Sequence, residues 1–143
     1  MDYLNALCLY LASVGVGTYT PTLSGGSISY PSLPDSAPPN VASCLALRPY
    51  GAQPPGPRTF ERHAPIWNAP LVQVVSRDAD FTAASNRAWL AHDALADMAG
   101  VLLSGTYCYG VTCIQTPNLA LGREENTNNW LVSFNVAIMK SSI

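Results

Sequence analysis

The residues able to do acid–base, nucleophilic or metal chemistry are few: two histidines, four cysteines and nine carboxylates in 143 residues. His92 is followed by Asp93, and adjacent helical residues do not face one another, so no local His–Asp pair is expected. His63 sits beside Glu61 and Arg62 in a proline-rich stretch, and no local pattern joins it to a cysteine as a nucleophile. Cys8, Cys44, Cys108 and Cys113 fit neither C-x-x-C nor a zinc spacing. Each has apolar neighbours, so buried free thiols are expected, and Cys108 and Cys113, an odd number apart, should face opposite sides of one strand. There is no G-x-S-x-G elbow, and Gly25-Gly26 lacks the lysine of a phosphate loop. Gly15-Val16-Gly17 follows no strand and lacks a third glycine, so it is no dinucleotide fingerprint. Asp78 and Asp80 flank a helix start, where carboxylates cap free N–H groups, and Glu124-Glu125 has no third carboxylate near it in sequence. No catalytic residue, metal or cofactor is expected, and the chain does not read as an enzyme.

The elements that would position these residues are clearest in the second half. Pro70–Arg77 (PLVQVVSR) is a β-branched run, and Asp80–Leu103 reads as one long amphipathic helix with Asp80 as its N-cap. Its seam is Phe81, Ala84, Ala88, Ala91, Leu95, Met98 and Leu102, with Arg87, Asp93 and Asp97 off it and Trp89 at its edge or an interface anchor. Tyr107–Gln115 and Trp130–Lys140 read as two antiparallel strands. In the first, Tyr107, Tyr109, Val111 and Cys113 share a face. In the second, Trp130, Val132, Phe134, Val136 and Ile138 form an apolar face, while Leu131, Ser133, Asn135, Ala137 and Met139 point the other way. Between them, Pro117–Asn129 reads as a solvated loop. The long helix should cover the apolar face and make a two-layer domain.

The first half is looser. Leu4, Leu7, Leu11 and Val14 recur at helical steps, with Cys8 beside them, so a helix over residues 2–14 is expected, capped by Asp2 and stopped by Gly15 and Gly17. Residues 21–69 hold most of the chain's twelve prolines, broken by two strand-like pieces, Ser27–Tyr30 and Val41–Arg48. Pro49–Ala69 is too long for an ordinary hairpin, and its Tyr50, Phe60, Ile66 and Trp67 suggest a binding arm.

Composition narrows the function classes. A chain of 143 residues is expected to form a single domain, 1–143, and is long enough to bury a core without disulfides or metals. Charged residues make up 11% against a usual share of about 25%, so much of the surface is neutral, as in a subunit that lives against partners. With a net charge of −2 and scattered basic residues, no stripe is present to neutralise phosphates, so sequence-specific nucleic-acid binding is not expected. The apolar Met1–Val16 stretch has no basic n-region and is too short to span a membrane, so a cytoplasmic site of synthesis and use is expected, with no membrane partner.

The order of parts resembles a known family. The run PLVQVVSRD (Pro70–Asp78) leads to DFTAASNRAW (Asp80–Trp89), a Tyr107–Pro117 segment follows, and LGREEN (Leu121–Asn126) precedes the terminal VSFNVAI (Val132–Ile138). This resembles the small minor capsid or tail-terminator (tail-completion) proteins of tailed bacteriophages, over about Leu4 to Lys140, with more prolines in the first half than the family pattern. The resemblance implies a sheet with helices packed on one side. It also implies a ring, commonly a hexamer, that caps the tail tube and meets the head-side connector or stopper, so the partners would be further copies of itself, the tail tube protein and that connector, in the virion. Together these give an α+β two-layer sandwich: a mostly antiparallel sheet of four to five strands, with one long and one short helix packed on one face. Tyr50, Phe60, Trp67 and Arg87 are the candidate contact residues, and Arg123, Glu124 and Glu125 are expected at one rim. Two other readings stand beside it: another neck component, such as a stopper or adaptor, or a small cytosolic module that binds a ligand or peptide at the Tyr107/Tyr109 face.

Overall fold

The computed structural model describes residues 3–19, 27–30, 43–52, 67–103, 106–117, 119–123 and 129–141. Two helices lie on one face of a mostly antiparallel sheet. In chain order the elements are α1 (Tyr3–Ser13), β1 (Ile28–Ser29), β2 (Cys44–Ala52), β3 (Trp67–Asn68), β4 (Pro70–Asp78), α2 (Phe81–Ala96), β5 (Val101–Leu103), β6 (Thr106–Cys113), β7 (Leu119–Arg123) and β8 (Trp130–Ser141). Five strands have five to twelve residues and carry the sheet; β1, β3 and β5 add two or three residues each. The order is β1-β2-β4-β8-β6-β5, with β3 and β7 also on β8, and the β1–β2 contact is parallel. The α+β two-layer sandwich expected from the sequence is the fold of this chain.

The terminal strand β8 owes its central place to its residue pattern. Val132, Phe134, Val136 and Ile138 are buried under the helices. They sit in register with Ser76, Val74, Val72 and, across the other edge, Val111. Alternation with period two puts these residues on one face, and burial of large apolar side chains there stabilises the sheet by roughly 1.5–3 kcal/mol each. The covering surface of α2 is made of Ala84, Ala88, Ala91 and Leu95, all fully buried, so short side chains let the helix approach β4, β8 and β6 closely.

Asp80 starts α2: its backbone is extended and its carboxylate accepts from the Ala83 N–H at 3.3 Å. The helix stops at Ala96, which corrects the expectation of a helix to Leu103. Met98 continues the buried seam, but Gly100 takes φ +64° and Val101–Leu103 pair with Thr106–Cys108 as a strand. The seam has the right period through Leu102, so only the pairing with β6, made further along the chain, decides the end. Phe81, also a seam position, is exposed and packs edge-on against Trp130 at 5.3 Å.

The helix α1 buries Leu4, Leu7, Cys8 and Leu11, while Val14 is exposed. Gly15 at φ +87° closes it: the Val16 N–H donates to the Leu11 carbonyl and the Gly15 N–H to that of Ala12, the paired bonds of a Schellman end. Tyr10 Oη donates to the Ala94 carbonyl at 3.3 Å, tying α1 to the end of α2. Asp2 lies outside the described residues.

Three register shifts alter the faces expected from simple alternation. In β6 the shift between Cys108 and Gly110 makes Tyr109 the extra residue of a bulge. Cys108 is therefore buried in the core and Cys113 packs against the same core, not on opposite sides as expected. Tyr107 and Tyr109 are exposed and do not share the face of Val111 and Cys113. In β2 the extra residue is Tyr50, and in β7 it is Leu121, next to Gly122 at φ +95°. The strand β7 itself corrects the expectation of a solvated loop, because residues 119–123 pair with β8.

Candidate interaction surfaces

The best-built polar site is the junction of β4 and α2. Asp78 Oδ2 accepts from Ser43 Oγ at 2.7 Å and from Arg87 Nη2 at 3.1 Å, and its Oδ1 accepts from the Asp80 N–H at 3.0 Å. Arg87 Nη1 donates to the Arg77 carbonyl at 3.2 Å. Burial pushes the Asp78 carboxyl up, but the hydrogen bonds from Asp80, Ser43 and Arg87, with the charge of the guanidinium, outweigh it and hold it below its ordinary range. A carboxylate saturated with donors at the surface of a helix start is a structural tie, joining the end of β4, the start of β2 and the first turns of α2. The nine-residue separation of Asp78 and Arg87, across a turn, gave no periodic signal in the sequence.

The outward side of α2 carries Asn86, Leu90, Asp93 and Asp97, all exposed and all on one stripe at steps of four, three and four. His92 lies beneath, edge-on to Trp89 at 5.1 Å and to Phe134 at 5.5 Å. Its Nδ1 lies 3.2 Å from Asp93 Oδ1, so the expectation that no His–Asp pair forms is corrected. The ring packs inward, and the Asp93 carboxylate curls back along the helix surface to reach its edge. Burial pushes the Cys113 thiol up, and the Asp93 carboxylate adds to this; burial does the same to Cys108. Both thiols are thereby kept protonated, the opposite of an activated nucleophile.

Among the described residues no helix lies on the other face of the sheet. Across it runs a row of polar side chains, Arg48 on β2, Gln73 on β4 and Asn135 on β8, in direct register. Arg48 donates to Gln73 Oε1 through Nε (3.1 Å) and Nη2, and Asn135 Nδ2 donates to Gln115 Oε1 at 2.7 Å. Ala46, Ser133 and Ala137 flank the row with short side chains. Arg77, on the same face, is buried, whereas Arg48 is exposed. The mixed polar face of β8, with Ser133 and Asn135 opposite its apolar side, was the sequence signal for this row.

The remaining expected contact residues fall as follows. Tyr50 and Trp67 lie in β2 and β3, the latter in register with Ser141, and Arg123 lies in β7 opposite Trp130. Phe60, His63, Glu124 and Glu125 lie outside the described residues. Arg87 is half-buried with its guanidinium on Asp78. Tyr107 and Tyr109 meet edge-on at 5.0 Å on the exposed side of the β6 bulge. Among the described residues no three His, Cys, Asp or Glu side chains cluster as a metal site, and no helix is long and apolar enough to cross a membrane.

The profile of a family described as bacteriophage tail terminator protein matches residues 10–140. The chain belongs to the tail-terminator family. It is thus a structural protein of a phage tail, and the virion is where such a protein resides. The fold of this terminator-family chain is similar to that of a chain in the structure described as "Virion of native gene transfer agent (GTA) particle". The TM-score is 0.57 at 16% identity, over 99% of this chain and 90% of that one. No curated protein sequence matches. Gly122, in the LGREEN run, is the positive-φ glycine beside the β7 bulge, which gives that part of the resemblance a backbone reason.

Proposed function

We propose that this protein is the terminator subunit proper: it closes into a ring at the head-proximal end of the tail tube and joins the tube to the neck. The observation that carries the reading is the family match over residues 10–140. The low charged share, 11%, supports it, since ring subunits present neutral surface to one another. The proposed partners are further copies of the chain, six in the ring that the resemblance implies, the tail tube protein and a head-side connector or stopper. Tyr50, Phe60, Trp67 and Arg123–Glu125 are proposed contacts; β7 places Arg123 beside Trp130 and hence at the end of the sheet where Phe81 is exposed. Light scattering over a concentration series tests the ring: a species near six times 15.2 kDa is expected. Reversal of charge at Arg123 is expected to weaken that assembly with the subunit fold intact; assembly unchanged by it would remove residues 123–125 from the contact.

A further inference from the structure

We propose that two copies of this chain pair through the outer edge of β6, antiparallel about a two-fold axis at Thr112, so that one sheet runs through both. This contact is separate from the ring proposed above and does not rest on it.

On its outer side β6 is paired with β5 only as far as Cys108. Further along, the Ile114 N–H donates to the Asn135 carbonyl at 2.9 Å, on the β8 side. Main-chain groups alternate along an antiparallel ladder, so Gly110 and Thr112 also turn theirs to β8, while Val111 and Cys113 turn theirs outward. Among the described residues nothing pairs with those outward groups. Tyr109 and Ile114 are 44% and 45% exposed and Thr112 is exposed, so this flank is uncovered. Open edges are normally guarded by charge or proline. At the other end of the sheet β2 runs past β1 with Arg48 and Pro49 exposed, which is such a guard. The edge of β6 has none, since residues 98–122 include no charged side chain and Pro117 lies beyond the strand.

Register picks the occupant. With Thr112 opposite Thr112 of the second copy, Val111 faces the second copy's Cys113, and Cys113 faces its Val111. Residues so placed exchange both N–H···O=C bonds, so every outward group of both strands is satisfied at once. The same register sets Gly110 against Ile114 of the second copy. A Cβ on Gly110 would meet nothing within 4 Å, and its φ is not positive, so neither packing nor backbone conformation within one copy calls for glycine there. The exposed Ile114 side chain of the second copy fills that space, as expected where another chain comes close to a strand glycine. Thr112 meets itself at the axis, a favourable cross-strand pair. Asp93, whose charge is felt at Cys113, sits on the helix side against His92 and off the paired edge. The contact uses the same patch on both copies, so it closes at two.

Sedimentation over a concentration series tests the pairing. The native chain should show a species at twice 15.2 kDa, in weak equilibrium with single copies because the contact is one short strand edge. Thr112→Lys and Thr112→Glu each set like charges face to face at the axis, and each alone should pair at least about tenfold more weakly. Their equimolar mixture should recover pairing, because a position that meets its own copy is rescued by the opposite charge at that same position. The recovery should fade as salt is raised. Gly110→Val has room within its own copy but takes the space of Ile114 from the second, so it too should pair at least about tenfold more weakly. Each variant is checked for an unchanged circular dichroism spectrum and melting curve, and the exposed Thr112 site is expected to keep the fold. A native chain with no two-copy species, variants that pair like it, or a mixture no better than its components would overturn the pairing. The ring is read separately, at its own mass, and stands or falls without it.

Discussion

At the scale of single residues, the Asp78 carboxylate ties the end of β4 to its neighbours. Its carboxylate takes three donors, one from the residue before β2 and two from the cap and first turns of α2, and its folded pKa lies below the ordinary value. A depressed carboxyl pKa stabilises the fold above the unfolded-state value of about 3.9, and that stability is lost as pH falls through the lower folded value. Asp78→Asn keeps the shape but removes the charge, so it should lower stability by about 1–2 kcal/mol at pH 7. The gap between native and variant should then narrow as pH falls below about 4, where the unfolded chain takes up the proton, and close once pH has passed the lower folded value. Urea melts at the two pH values measure this; a gap that does not change with pH would mean the charge is immaterial. Sequence reading found the cap at Asp80, because caps are local, whereas Asp78, expected to cap as well, binds the N–H of the cap residue instead. It missed Ser43 and Arg87 as partners, because their approach depends on β2 being laid beside β4.

At the scale of elements, the contact of α2 with the sheet is set by alanines. Ala88 is fully buried between helix and strands, so Ala88→Leu forces extra methyl groups into a filled layer. A loss of about 1–3 kcal/mol is expected, read as a lower denaturation midpoint, with the helix pushed off β8. No loss would mean that the layer is loosely filled. The same helix shows where periodicity stops being informative. Its seam was legible from Ala84 to Met98, but its end was not, since Gly100 and the β5–β6 pairing act against a pattern that continues to Leu102. The strand faces behave likewise. Five alternating residues fixed the buried side of β8, whereas one inserted residue, Tyr109, reversed the expected order in β6 and brought both thiols to the core side. A bulge has no composition of its own, so alternation alone cannot reveal it.

At the scale of the molecule, β8 pairs with β3, β4, β6 and β7, and it joins the two halves of the sheet. Phe134 is buried at its centre, opposite Val74 and against the His92 ring. Phe134→Ala should cost about 3–5 kcal/mol, enough to unfold a marginal domain, and the native β8 amides should be among the slowest to exchange with deuterated solvent. Fast exchange along β8 would contradict its central place. The general architecture was legible because β8, β4 and α2 each carry a clean period; residues 117–129 were not, since Leu119–Arg123 owes its strand state to a neighbour and not to its own pattern. The strand that unites the sheet is also synthesised after every strand it unites. While the ribosome has delivered only the first 129 residues, β4 has a partner in β2 on one side and an open edge on the other, and β6 has no inner neighbour. The nascent subunit therefore holds its sheet unfinished until β8 emerges, and in a cell making many copies at once that open edge is a place where two incomplete chains can pair with each other before either is whole.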